Sequence, residues 1–226
     1  MERLDRAAGA MDKVVQDLLL LARSDGGQLR FQLSPVSLRS VLETALACVP
    51  FENGPAVHNE VCASSLAVLG DAGHLTRLFS NLLDNAHRHT PPDGRVTVSA
   101  RQEGERRVVV TISDTGAGIP PEHLPHVTER FYRVDTARAR AQGGTGLGLA
   151  ICQSIAAAHG GEMRIESAEG QGTRVHVLLR APVTHQDVLN ILDVRDVVQD
   201  GDGFSEPASD VADRAAGDPV VAAPAQ

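Results

Sequence analysis

Tryptophan is absent from this 226-residue chain, tyrosine occurs once, and aromatic residues make up only 3%. The core must therefore be mostly aliphatic, and an apolar content of 42% is enough to build one. Lysine is reduced to Lys13, against twenty arginines, a bias that fits a GC-rich genome and carries no functional message. Cysteine is scarce too: Cys48, Cys62 and Cys152 lack metal-ligand spacing and fit a reducing cytosol better than a disulfide scaffold. Apolar runs such as Leu18–Ala22 are far too short to span a bilayer. No charged-then-apolar leader is present, so the expected compartment is cytoplasmic.

Charge is unevenly placed. From Val183 onward there are nine acidic and two basic residues, a net −7; residues 1–182 carry twenty acidic and nineteen basic, a net −1. A nearly neutral body with no basic stripe excludes a nucleic-acid partner. The tail reads as a disordered, solubilising extension from Gly201 to Gln226, after a short amphipathic helix over Gln186–Gln199.

What is present is concentrated in residues 143–151, GGTGLGLAI. This glycine-dense turn runs straight into an apolar helix. A helix start exposes unpaired N–H groups and the positive end of the dipole, and glycines let an anion approach the backbone. The turn lacks the lysine of a P-loop, and no strand leads into it as in a dinucleotide-binding fingerprint. A flexible hinge before a helix would look the same.

Periodicity organises the rest. Leu4, Ala7, Met11, Val14, Leu18 and Leu21 step by three and four over Glu2–Ser24, a coiled-coil-like seam that suits another helix, from a second chain. A short strand is expected at Leu29–Leu33, a helix at Ser37–Cys48, and weak strands at Val57–Val61 and Leu66–Leu69. Asp71 reads as the N-cap of a helix reaching His89, with Leu75, Leu78, Phe79, Leu82, Leu83 and Ala86 on its apolar face. Arg95–Arg101 and Arg107–Ser113 form a hairpin. Residues 114–145 are mostly loop, followed by a helix over Gly146–His159. Met163–Ser167 and Arg174–Leu179 form the last hairpin.

Three segments carry chemistry. In NLLDNAHRHT, Asn81, Asn85 and Arg88 share one stripe, about 120° from the centre of the apolar face. An Asn carbonyl suits Mg²⁺, which takes few protein ligands beside phosphates and waters. Arg88 suits a phosphate. A solvated polar face would carry the same residues. In VVVTISDTGAGIP, Asp114 stands where a buried strand stops, with Gly116 and Gly118 after it. A carboxylate there can accept the exocyclic N–H of adenine, and D-x-G is also a common turn signal. The third segment is the glycine turn itself. It is preceded by Glu129, Arg130, Phe131, Tyr132 and Arg133, and by an arginine-rich loop with Arg138 and Arg140, which reads as a lid.

Asn85 to Asp114 is 29 residues and Asp114 to Gly144 is 30. In this order and spacing the chain resembles the ATP-binding catalytic domain of sensor histidine kinases, of the superfamily shared with gyrase, Hsp90 and MutL. NLLDNA resembles the N box, DTGAGI and GGTGLGLAI the two glycine boxes, and RFYRVD the F box. GQGT, Gly170–Thr173, resembles a later glycine turn. The resemblance covers about residues 1–181. It implies an α/β fold, a two-layer sandwich of a mixed sheet backed by helices, preceded by one long helix. Asn85 would ligate Mg²⁺ and Asp114 would read adenine of ATP. Gly116, Gly118, Gly144, Thr145, Gly146, Leu147 and Gly148 would shape the nucleotide pocket, with Asn81, Arg88 and Arg130 near the phosphates. ATPases and serine kinases of the superfamily carry a Glu where this chain has Asn81. Asn81 cannot take a proton, which disfavours hydrolysis and serine phosphorylation.

None of the nine histidines sits in the box that holds the acceptor in such kinases. Met11–Gly27 instead resembles the second helix of the dimerisation hairpin. The resemblance thus implies hairpin sequence over 1–27, the catalytic domain over 28–181 and an acidic tail over 182–226. The acceptor histidine, the sensor and any inner-membrane anchor would lie outside the chain. The implied partners are a histidine-bearing hairpin, a response regulator, and a second copy bound through the first helix. A free ATP-binding regulator and an anti-sigma-type serine kinase remain as other readings.

Overall fold

The computed structural model describes residues 2–29, 31–51, 54–61, 66–134 and 145–182, with only the backbone for 2–10 and Lys13. The expected helix at Gln186–Gln199, the tail, Gly144, Arg138 and Arg140 lie outside the described residues.

Among the described residues, four α-helices and seven strands follow from the sequence pattern. Helix α1, Glu2–Asp25, precedes strand β1, Ser34–Ser37, and helix α2, Leu38–Ala47. Strands β2, Ala56–Asn59, and β3, Ala67–Gly70, lead to helix α3, Ala72–His89. Strands β4, Arg95–Glu103, and β5, Arg107–Asp114, form the expected hairpin. Helix α4, Gly148–Ala158, is followed by β6, Glu162–Ser167, and β7, Thr173–Arg180.

The main sheet has the order β2-β4-β5-β7-β6. β2 runs parallel to β4 and the other neighbours are antiparallel, so the sheet is mixed. Alternation on its strands turns Val96, Val98, Val108, Val110, Ile112, Val175, Val177 and Leu179 into the core. α3 supplies the opposing layer. Asp71 caps it by accepting the His74 N–H at 3.0 Å, and all six predicted apolar residues from Leu75 to Ala86 are buried. Each large side chain so buried contributes about 2 kcal/mol. Thr90 leaves the helical region (φ −103°, ψ 130°) before Pro91, which stops the helix there. α4 packs beside α3 through Ile151, Cys152 and Ile155, each fully buried.

Two sequence expectations shift. Of the expected strand at Leu29–Leu33, the described residues Leu29 and Phe31–Leu33 form none; the strand lies at Ser34–Ser37, paired antiparallel with Ala67–Gly70. Phe31 is buried by its ring contacts with His74 and His159, at 4.1 and 4.7 Å between centroids, and not by a ladder. The helical seam of α1 also divides. Val14 packs against the core, and Leu20, Leu21 and Asp17 are buried, while Met11, Val15, Leu18 and Leu19 are exposed. Its buried side meets α4 of the same chain.

Candidate nucleotide site

β5 delivers Asp114 to the end of the central strands, and the turns around it fix its carboxyl group. Asp114 Oδ1 accepts the N–H of Gly116 at 2.8 Å and that of Thr173, across the ladder, at 3.3 Å. The second oxygen has no hydrogen bond among the described residues. Burial raises the Asp114 pKa above the ordinary carboxylate value, opposed by these two N–H groups and by His89. The approach of the two turns requires glycine. Gly118 has φ +71° and Gly172 φ +80°, and a Cβ there would stand 2.0 Å from the Ala168 carbonyl oxygen and 1.9 Å from that of Asp114. Ser167 Oγ ties the same turns by accepting the Ile119 N–H and donating to the Gly172 carbonyl.

The end of α3 forms the facing wall. An open cleft of about 480 Å³ is lined by Arg88, His89, Thr90, Pro91, Thr115, Gly116 and Ala117. Gly116 is pressed so closely to α3 that a Cβ would stand 2.2 Å from the His89 carbonyl oxygen. Crowding by protein lowers the His89 pKa below 6.5; Arg88 and Arg133 push the same way and Asp114 opposes them. His89 is thus a neutral ring at pH 7. Arg88 also donates from Nε to Asp84 at 2.9 Å.

Asn85 lies at the start of α4, its Nδ2 3.9 Å from where a Gly148 Cβ would be. Among the described residues no hydrogen bond engages the Asn85 amide, which leaves its oxygen open to a ligand. The described residues contain no group of three His, Cys, Asp or Glu able to hold a metal. A single Asn oxygen therefore fits only a cation bound mainly by phosphates and water, as Mg²⁺ is.

The remaining predicted residues separate. Asn81, one turn earlier, lies beside the buried Cys152 thiol and works against the rise that burial imposes on its pKa. Arg130 donates to Asp25 of α1 at 2.5 Å. Thr145 Oγ1 accepts the Leu147 N–H at 3.3 Å, and the Gly146 carbonyl accepts the Phe131 N–H at 2.9 Å. α4 begins at Gly148, two residues later than expected. The Leu147 side chain is fully buried, so only its backbone can face a ligand. The sequence assigns no role to His89 or Thr173, and names Arg133 only within the lid segment. The signals were present: His89 is one turn past Asn85, Thr173 closes GQGT, and Arg133 belongs to RFYRVD.

A mixed sheet with one helical layer, and an Asp–Gly turn facing an Asn-bearing helix, define an ATPase-type domain. Comparison with known proteins bears this out. The family described as histidine kinase-, DNA gyrase B-, and HSP90-like ATPase matches residues 70–183, and the chain belongs to it. Its relatives are sensor histidine kinases. Over 182 residues it is 37% identical to the signal transduction histidine-protein kinase BaeS of Escherichia coli (strain K12), covering 80% of this chain and 38% of that protein. Over 173 residues it is 39% identical to the histidine-protein kinase/phosphatase MprB of Mycobacterium leprae, covering 75% of this chain and 32% of that one. The chain therefore spans roughly a third of the length of such relatives. Among solved structures, a mycobacterial sensor histidine kinase MprB superposes with a TM-score of 0.58 at 33% identity, covering 67% of this chain and 99% of that one. Full-length ShkA in complex with AMPPNP superposes with a TM-score of 0.67 at 27% identity, covering 79% and 38%.

Proposed function

We propose that this chain binds Mg-ATP and donates the γ-phosphoryl group to a histidine carried by a helical hairpin, as the catalytic part of a sensor kinase in two-component signalling. The observation that carries this reading is Asp114: one oxygen is held by two backbone N–H groups, and the other is left open beside the cleft. That oxygen would accept the adenine exocyclic N–H, with neutral His89 against the same rim. Asn85 would hold Mg²⁺, which supplies charge neutralisation on the phosphates. Arg88 and Arg133, both acting on His89, add positive charge to that wall. The Thr145–Gly148 turn would receive phosphate through its backbone, with the neighbouring Gly144 and Arg130 completing the loop side.

An imidazole nitrogen of the acceptor attacks the γ-phosphorus, the bond to the β-phosphate oxygen breaks, and ADP leaves. The imidazole is itself the nucleophile. A carboxylate base at the Asn81 position is therefore not needed, which disfavours the hydrolytic and serine-kinase readings. We further assign 1–27 to the hairpin's second helix, 28–181 to the catalytic domain and 182–226 to an acidic tail. The assembled kinase takes a response regulator as its phosphoryl acceptor. Among the described residues no helix is long and apolar enough to cross a membrane.

The test is incubation with γ-labelled ATP, with and without a separately supplied histidine-bearing hairpin. Acid-labile, base-stable label on the hairpin histidine is expected. Binding of nucleotide without transfer would favour a non-catalytic regulator, and acid-stable label on a partner serine would favour a serine kinase.

A further inference from the structure

A buried charge lies where α1 meets the sandwich. Asp17 is only 3% exposed, and Arg77 of α3 donates from Nη2 to its Oδ1. Among the described residues no other carboxylate or guanidinium is buried. Cys152 of α4 stands at the same junction. Its thiol, pushed up to about 12 by burial, is a neutral donor to the Leu78 carbonyl at 3.4 Å, with Asn81 near enough to oppose that rise.

Arg77, Asn81 and Asn85 are spaced by four and form one stripe of α3. Its first residue meets Asp17 of α1, its second Cys152 of α4, and its third the start of α4 at Gly148. A second link runs from the end of α1 to the opposite wall. Asp25 pairs with Arg130, and the next residue, Phe131, donates its N–H to Gly146 of the glycine turn. The two α1 carboxylates thus tie α1 to α3, which carries Asn85, and to Arg130, beside the residue bonded to the glycine turn. The exposed Asp25 pair contributes little energy by itself. The buried pair is different: sliding α1 by one turn, about 5.4 Å, would leave Asp17 among apolar side chains without its partner.

We propose that Asp17 is a positioning residue for nucleotide binding. Through Arg77 it fixes the rotation and axial setting of α3 that aims Asn81 and Asn85 at α4, so that seating of α1 and affinity for nucleotide are linked. This rests on the Mg-ATP reading above. Linkage is reciprocal, so Mg-ATP must also stabilise the seating of α1.

The test uses the full chain with Asp17→Asn, Arg77→Gln and the double variant. Mg-ATP affinity is measured by calorimetry, helix content by circular dichroism, and α1 amide exchange with and without Mg-ATP. The expected result is a Kd raised about five-fold or more in each single variant, with the double variant less than the product of the two. Mg-ATP should slow α1 exchange in the wild type and lose that effect in Asp17→Asn. Variants that melt earlier yet bind Mg-ATP as the wild type does would overturn the proposal and leave a purely structural pair. A wild-type chain that fails to bind Mg-ATP would instead overturn the functional reading. Where Asp17→Asn fails to fold, Arg77→Gln carries the test, since Arg77 is partly exposed.

Discussion

Asp114 joins two demands that pull against each other. Its carboxylate must stay ionised to accept a strong hydrogen bond from an amine N–H, yet its surroundings raise its pKa. A folded-state pKa above the unfolded value means that ionisation costs stability at neutral pH. Asp114→Asn removes that cost and keeps an oxygen for the Gly116 and Thr173 N–H groups. We expect it to melt at the same or a higher temperature at pH 7 while weakening Mg-ATP on the order of ten- to a hundred-fold, the worth of one hydrogen bond to a charged group. Asn85→Ala should weaken Mg-ATP comparably and leave the melting temperature within a degree or so, because no protein group depends on its amide. Calorimetric titration and thermal melting check both variants. Unchanged nucleotide affinity in either would refute the assigned site. Asp114 and the glycines stand out in the sequence because each occupies a position where the backbone must stop, turn or approach closely, and Asn85 because it shares a helical stripe with Asn81 and Arg88. Thr173 does not, because its part is played by a backbone N–H, which every non-proline residue possesses. Arg130 is a side chain whose partner, Asp25, is distant in sequence, and spacing cannot reveal such a pairing.

Elements with local causes were equally legible. α3 begins after a side-chain cap and ends before a proline, and its bounds follow from those residues. β1 was misplaced because Ser34–Ser37 has no apolar alternation; its partner, Ala67–Gly70, defines it. Phe31 is buried without being in a strand, through two histidines, one on α3 and one just after α4. His159, which closes α4, shows how these elements are held. Its Nε2 accepts the Asp71 N–H at 3.0 Å, so the proton resides on Nδ1, which donates to the Ile155 carbonyl at 2.8 Å. Burial lowers its pKa from 6.5. The unfolded chain then takes up the proton first as pH falls. The contribution of His159 is complete above about pH 6.5 and is lost below it, by up to about 1.4 kcal/mol per pH unit until the folded-state pKa is reached. His159→Gln should be less stable than the wild type at about pH 7.5, with the gap narrowing toward about pH 5.5. Melting curves of both proteins over that range test this; a gap independent of pH would mean that folding does not lower the His159 pKa.

On the scale of the whole molecule, α1 is apolar on two sides and the domain covers only one. Val14, Leu20 and Leu21 are engaged with the core, whereas Met11 is 71% exposed, Val15 51%, Leu18 40% and Leu19 47%. Met11, Val15, Leu18 and Ala22 step by four, three and four, which is the spacing of a seam between two helices. The sequence reading had merged this stripe with the inner one, because Leu18 and Leu21 fit a single seam when nothing is known of the packing. A contiguous apolar stripe left in water favours association, and a second copy can present the same stripe in return. The full chain should therefore sediment as a dimer at about micromolar concentration, held by the outward stripe. Val15→Glu with Leu18→Glu should give a monomer that keeps its melting temperature and its Mg-ATP affinity, because both side chains are exposed. Leu21→Glu should instead destabilise the domain by several kcal/mol, since it buries an unpaired charge. A monodisperse wild-type monomer, or a dimer that survives the double substitution, would assign the stripe no part in association.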